Sequence, residues 1–433
     1  MGPMTDRLAH EKRVLKNGIT VFYLPMPNTG IGHAIISLPF GHANNIGDVP
    51  LGGFHFLEHC VLNRSEKFPE IDSFGRFVGM EGGYKNGTTG SFDTYYELEI
   101  PSVSFSKGFE GLVSHVYNPT FLQEDIDGEK KVIINERKRR EPFYPGNSEK
   151  TQYINTRIVE KTPSSLFEVF GDDATLSQMT VEKVKKMHEA YFTKDAAVFL
   201  GGEIDFDFAC SLLEAIPTKE IQRPKEYKSL SWIDPTYQEK SFKENSRYEY
   251  SLAYLIDEGS FEFFHAQNIL WLFLINSFAG PLYKWLRSEK GWVYELNRQG
   301  FSIRNRRASG IAIPLSNYDH VAVVRKELDE RIREALSDHT LIQDYVGRTR
   351  RARVFSFQTV EACINELHSA YSIYGYPITS SDIDRMLDLE AQPGYLLGIY
   401  ERLLREGEKG EFVATPKKKN IFLSLQEKIK KLF

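Results

Sequence analysis

The chain has 433 residues, 41% of them apolar and 13% aromatic, with a formal net charge of −5 and a pI near 6.2. It is too long for one ordinary domain and apolar enough to bury two or three cores, which excludes a disordered chain. The acidic balance argues against a general nucleic-acid binder, and the longest apolar run, Ile269 to Ile275, falls far short of the ~20 residues needed to span a membrane.

In chain order, hydrophobic alternation predicts strands at Thr20 to Leu24 and His33 to Leu38, a helix at Phe54 to Leu62, and a strand at Thr94 to Ile100. Helical spacing follows at Ile126 to Arg139 and Val181 to Phe192. A polar, proline-bearing stretch from Pro217 to Pro235 is the linker candidate, dividing the chain into 1–222 and 223–433. Beyond it come a strand near Tyr248 to Ile256, helices at Phe263 to Ser277 and Pro281 to Lys290, and a strand region near Phe301 to Ile313. The pattern is α+β. From Thr415 the tail is basic and then amphipathic, with Ile421, Leu425, Ile429 and Leu432 at helical spacing, and it reads as a short helix docked on its own domain. Met1 to Arg7 carries no apolar signal region. The three scattered cysteines, Cys60, Cys210 and Cys363, do not form a disulfide framework, which points to a reducing cytoplasm.

The stretch His55-Phe56-Leu57-Glu58-His59 carries the chemistry. Residues four apart on a helix stack on one face, so His55 and His59 can reach one metal ion. Glu58 lies on the same side, placed to act as a base without being a ligand. Catalytic zinc takes three protein ligands and keeps one position open, and the His-x-x-Glu-His order is the inverted form of the commoner protease motif. A third ligand must come from elsewhere. The helix around Glu129-Lys130-Lys131-Val132-Ile133-Ile134-Asn135-Glu136 is expected to bury Val132, Ile133 and Ile134. It presents Glu129 and Glu136 two turns apart on one face. Either could ligate, the other then orienting a ligating histidine.

The motif followed by Glu136, 77 residues after His59 (136 − 59), resembles the pitrilysin/insulinase family of zinc peptidases. So do Leu15-x-Asn17-Gly18-Ile19-x-Val21, Gly82-Gly83-x-x-Asn86-Gly87-x-Thr89 with Asp93-Thr94-x-Tyr96, and Val198 through Glu203. In the second half, Gly280 through Arg287 with Gly291-Trp292-Val293-Tyr294 resembles the family's arginine/tyrosine element. Two stretches depart from the family: Cys60-Val61-Leu62-Asn63-Arg64-Ser65 stands where Met and a Gly-Thr pair are usual, and Gly87 stands where alanine is common.

The resemblance implies an α+β metallohydrolase fold of two homologous domains, each an antiparallel-rich sheet packed by helices, with one zinc site per chain. It implies Zn2+ held by His55, His59 and Glu136, with Glu129 behind them, Glu58 as general base, and Arg287 and Tyr294 as oxyanion donors. Asn86, Gly87 and Thr88 would then bind peptide as an added strand. The expected activity is endopeptidase action on short or unfolded peptides in an enclosed chamber. Larger relatives carry four such domains, with the zinc motif in the first and the arginine/tyrosine pair in the last, so a two-domain chain is expected to work as a homodimer. Two alternatives share the fold: the catalytic subunit of a heterodimeric processing peptidase, and a catalytically silent interaction scaffold.

Overall fold

The computed structural model describes residues 6–42, 49–50, 52–140, 169–221, 238–242, 246–256, 258–276, 279–303 and 306–416. The chain divides into two units. One comprises Met1–Phe143, Lys161–Lys228 and Thr349–Arg385; the other comprises Tyr144–Glu160, Ser229–Arg348 and Met386–Phe433. Each has its own helix-packed sheet, so the fold is α+β as expected.

The first unit contains strands β1 (Glu11–Val14), β2 (Thr20–Pro25), β3 (Ile31–Leu38), β4 (Tyr84–Thr89), β5 (Thr94–Pro101) and β6 (Ala197–Gly202). Their order in the sheet is β1-β2-β6-β3-β5-β4, with β2 and β6 parallel and every other pair antiparallel. The helices α1 (Gly53–Val61), α2 (Ser73–Met80), α3 (Ser102–Tyr117) and α4 (Gln123–Arg140) follow the chain. On β5 the period of two is clean. Tyr96, Leu98 and Ile100 are buried in the core shared with α1 and α3, whereas Tyr95, Glu97 and Glu99 alternate onto the opposite face. β3 is buried along nearly its whole length, because the helix Val360–Tyr374 returns late in the chain to cover that opposite face. Its His368 Nε2 lies 3.1 Å from the Ser37 hydroxyl, and its Tyr371 ring meets Phe199 at 5.5 Å.

In the second unit β7 (Gln238–Phe242), β8 (Tyr248–Ile256), β9 (Asn297–Ile303), β10 (Arg306–Leu315) and β11 (Glu408–Pro416) form a sheet in the order β7-β11-β8-β10-β9. The helices Phe261–Ile275, Asp319–Ser337 and Tyr395–Glu406 belong to the same unit. Trp271 and Tyr400 are fully buried there.

Two local expectations change. Val132 is 47% exposed and Ile134 is half-buried, while only Ile133 is fully buried; consecutive helical residues fan out by about 100°, so three in a row cannot share one buried face. The strands expected near Phe301 to Ile313 are there, as the antiparallel hairpin of β9 and β10. The expected helix Pro281 to Lys290 is a single turn, Pro281–Tyr283, followed by a wider π-helical turn, Lys284–Glu289. The linker from residue 222 onward and the tail from 417 lie outside the described residues. No described helix is long and apolar enough to cross a membrane.

Gly201 on β6 marks how closely the returning helix sits. A Cβ there would come within 2.5 Å of Ile364 and 3.0 Å of Val360. Gly201→Ala should therefore destabilise the chain by about 1–3 kcal/mol through overpacking, read as a lower denaturant midpoint.

Candidate metal centre

α1 begins where Gly52 adopts φ 71°, a conformation open to glycine. Its residue 52 passes so close to Gly171 that a Cβ would meet the Gly171 nitrogen at 2.4 Å. From there the helix is buried almost all round. Phe54, Phe56, Leu57, Cys60 and Val61 enter the core, and His55 and Glu58 are each 7% exposed. Buried polar groups need partners, and two neighbouring elements supply them.

α4 supplies the first set. Arg64, just past α1, donates from Nε to Asp125 Oδ2 at 2.7 Å and from Nη2 to Oδ1 at 3.2 Å. This bidentate clamp ties the end of α1 to the start of α4. Glu129 Oε2 lies 3.0 Å from His59 Nδ1, and Glu129 Oε1 accepts from Asn63 Nδ2 at 3.1 Å. Since a carboxylate can only accept, His59 carries its proton on Nδ1 and turns Nε2 inward. Two turns on, Glu136 Oε2 lies 3.5 Å from His59 Nε2 and 3.9 Å from His55 Nε2. The two imidazoles stand edge to face at 4.8 Å, with Phe170 against His55 at 5.2 Å.

β4 supplies the second set. Thr89 donates its hydroxyl to Glu58 Oε2 at 2.8 Å. A Cβ on Gly87 would fall 2.7 Å from Glu58 Oε1 and 3.0 Å from Glu58 Cγ, so the bare glycine gives the carboxylate its room. Asn86 and Thr88 alternate onto the other face, opposite Glu97 and Tyr95, and Asn86 hydrogen-bonds Glu97. Of the three strand residues singled out in the sequence, only Gly87 faces Glu58. β4 is also the last strand of its sheet among the described residues, paired on one side by β5.

The donor set suits zinc. His55, His59 and Glu136 each offer an atom, all within 4.8 Å of one another. Ligands about 2.0–2.1 Å from a tetrahedral zinc lie roughly 3.4 Å apart, close to the separations that both imidazoles make with Glu136. The charge suits it too. Burial alone would depress the His59 imidazole, but Glu129, Glu136 and the nearby Glu58 lift it to about 10. Burial likewise pushes the Glu129 carboxyl up, and its bonds with His59 and Asn63 more than offset this, leaving it below the usual range. Three carboxylates around two imidazoles make a field that holds positive charge.

Arg287 and Tyr294 lie in the second unit, and the other candidate residues lie in the first. The Arg287 guanidinium sits 5.3 Å over the Tyr294 ring and donates to the Val293 carbonyl at 3.3 Å. Both side chains are exposed, between the buried Leu286 and Val293. Asn63 and Thr89 are contributors that sequence reasoning did not assign roles. Thr89 was visible as part of the strand motif, and Asn63 only as a departure from the family's usual run.

Glu129→Ala should leave the cluster's three donors in place but free the His59 ring, weakening zinc binding about 10- to 100-fold in competition with a chromophoric chelator. Asn63→Ala should act in the same direction with smaller effect.

A family model described as Insulinase (Peptidase family M16) matches residues 41–161. An insulin-degrading enzyme homolog from Dictyostelium discoideum is 27% identical over 221 residues, covering 49% of this chain and 22% of that protein. The zinc protease PqqE of Helicobacter pylori is 27% identical over 281 residues, covering 58% of this chain and 61% of that protein. In both cases the match spans less than two thirds of the relative's length. The crystal structure of a protease from Helicobacter pylori superposes with a TM-score of 0.76 at 16% identity, covering 94% of this chain and 99% of that one; at that identity the likeness speaks for the fold alone. On sequence likeness and fold together, the chain is similar to the insulinase family of peptidases, M16, with the family-model match confined to residues 41–161.

Proposed function

We propose that the chain is a zinc-dependent endopeptidase that hydrolyses short or unfolded peptides within an enclosed chamber. One observation supports the reading: His55 Nε2 and His59 Nε2 converge on Glu136 Oε2, and Glu58 stands beside them against β4, the last strand of its sheet among the described residues. When bound, zinc supplies a Lewis acid that polarises the scissile carbonyl and acidifies water. His55, His59 and Glu136 would hold it, and Glu129 keeps the His59 ring turned toward it. Glu58, steadied by Thr89, takes a proton from the attacking water and delivers it to the leaving amine. The backbone of Asn86, Gly87 and Thr88 offers β4's outer edge to an extended peptide, which limits the substrate to chains with a free strand to lend. Arg287 and Tyr294 would donate hydrogen bonds to the developing oxyanion. Three buried free thiols suit a reducing compartment such as the cytoplasm.

A silent scaffold would have no use for a base held by hydrogen bond beside a three-donor cluster. That arrangement favours catalysis. Purified protein should hold close to one zinc per chain. Glu58→Gln should retain the metal while peptide-library digestion, followed by mass spectrometry, falls about 100-fold or more. Hydrolysis at the unmodified rate would remove Glu58 from the mechanism.

The proposal also includes a two-fold homodimer in which each chain lends Arg287 and Tyr294 to its partner's zinc site, a closed and self-complementary arrangement. Chains carrying Glu58→Gln mixed with chains carrying Arg287→Ala and Tyr294→Phe should then regain part of the activity, since one site in each mixed dimer is intact. If verified subunit exchange restores nothing, the pair acts within its own chain or a different subunit is the natural partner.

A further inference from the structure

The face of β4 and β5 turned away from α1 carries a second cluster of chemistry that the peptidase reading does not use. Between this face and the helix Val360–Tyr374 lies a cavity of about 470 Å³, lined in part by His33, Tyr84, Tyr95, Glu97, Glu99 and Glu361. All of these belong to the first unit. Strand register explains the grouping: Tyr84 on β4 faces Glu99 on β5, which faces His33 on β3, so one row crosses three strands. Glu97 stands two residues along on the same face, and Glu361 enters from the first turn of the helix.

The cavity is lined by three carboxylates and by no lysine or arginine. Among the described residues, the one contact these carboxylates make with a basic side chain is the hydrogen bond that Glu99 Oε2 accepts from the neutral His33 ring at Nδ1, 3.3 Å away. Burial, with Glu361 and Glu99 nearby, pushes the Glu97 carboxyl up despite help from His33 and Asn86. An independent feature points the same way. His33 is 1% exposed, and its Nε2 is buried with no hydrogen-bond partner. With Nδ1 donating to Glu99, Nε2 keeps a lone pair, and a buried acceptor left unmade is costly. A ligand N–H would satisfy it.

The spacing of the acids selects the kind of cation. Among the described residues, only His55, His59 and Glu136 bring three donor atoms within 4.8 Å, so the acids here spread wider than one metal's coordination sphere. A guanidinium or ammonium group distributes several N–H donors over such a span. Two tyrosine rings stand ready for its charge, one of them, Tyr95, packed 4.5 Å from His368.

We propose that this cavity is a second ligand site, taking a guanidinium or primary ammonium group. That chemistry has two sources. One is a free small diamine. The other is a basic side chain of a peptide laid along β4, whose alternate residues would point to this face while their neighbours point to Glu58; this source, unlike the site itself, rests on the peptidase reading.

The probe is agmatine, which carries both groups, titrated calorimetrically into the full chain at low salt. Saturable binding is expected, weakened about ten-fold or more in Glu97→Gln/Glu361→Gln and unchanged in Glu58→Gln. Glu361→Gln alone, on an exposed helix surface, should weaken binding in the same direction without risk to folding. No heat up to about 10 mM agmatine, or equal affinity in all these variants, overturns the site. The sources separate in a second titration of the Glu58→Gln chain with an arginine peptide and its citrulline twin. A preference for arginine that vanishes in the Glu97/Glu361 variant identifies a peptide side chain. Equal peptide affinities beside intact agmatine binding identify a free cation. A chain that binds agmatine yet hydrolyses no peptide would sink the peptidase reading and leave this site standing.

Discussion

The burial of α1 on nearly every side is the constraint from which the rest of the candidate site follows. A helix carrying two histidines and a glutamate has no place in a core unless its polar stripe is matched. The match comes from two directions that are distant in sequence. α4 brings Glu129 and Glu136 over the imidazoles, and β4 brings Thr89 under Glu58. Removing either element would strand charged or polar groups in a dry interior, where an unpaired group costs more than a typical hydrogen bond contributes. Stability and chemistry therefore ask for the same contacts. The Arg64–Asp125 clamp makes this plain: it touches none of the three putting donors toward a metal, yet it fixes where α4 lies against α1.

The division of labour between the two glutamates of α4 is geometric. They sit seven residues apart on one face, yet Glu129 meets the outer nitrogen of His59 while Glu136 meets the inner nitrogens of both rings. Each histidine ring can serve only one partner per nitrogen, so the carboxylate on Nδ1 decides which lone pair turns inward. Asn63 occupies the other Glu129 oxygen. Asn63 thus takes part in the support of the site.

What could be read from the sequence was whatever local periodicity controls. His55 and His59 share a face because of helical geometry, and Tyr96, Leu98 and Ile100 share one because strands alternate; neither needs knowledge of the rest of the chain. From residues alone, Glu129 and Glu136 were equivalent. Only their distances to His59, set by how α4 docks, separate them. Val132 was misjudged because a run of three apolar residues looks buried in one dimension and fans out in three. The return of Val360–Tyr374 onto the first sheet left no local mark, since its partners on β3 (Ile31–Leu38) and β6 (Ala197–Gly202) both lie more than a hundred residues earlier in the chain. Thr89's bond to Glu58 is hidden for the same reason: it joins residues 31 apart.

β4 shows how far a period of two can carry function. Gly87 and Thr89 look toward Glu58, and Tyr84, Asn86 and Thr88 look toward the face of the acidic cavity, so a single strand separates the three-donor cluster and its neighbouring Glu58 from a second group of carboxylates. The two faces are insulated by the sheet itself, while any chain hydrogen-bonded to the outer edge of β4 would present side chains to both at once. An edge strand is a liability when nothing meets it. Here the two faces of β4 carry different chemistry, so under the proposed function a peptide laid along it would be distinguished by what alternates along its own chain.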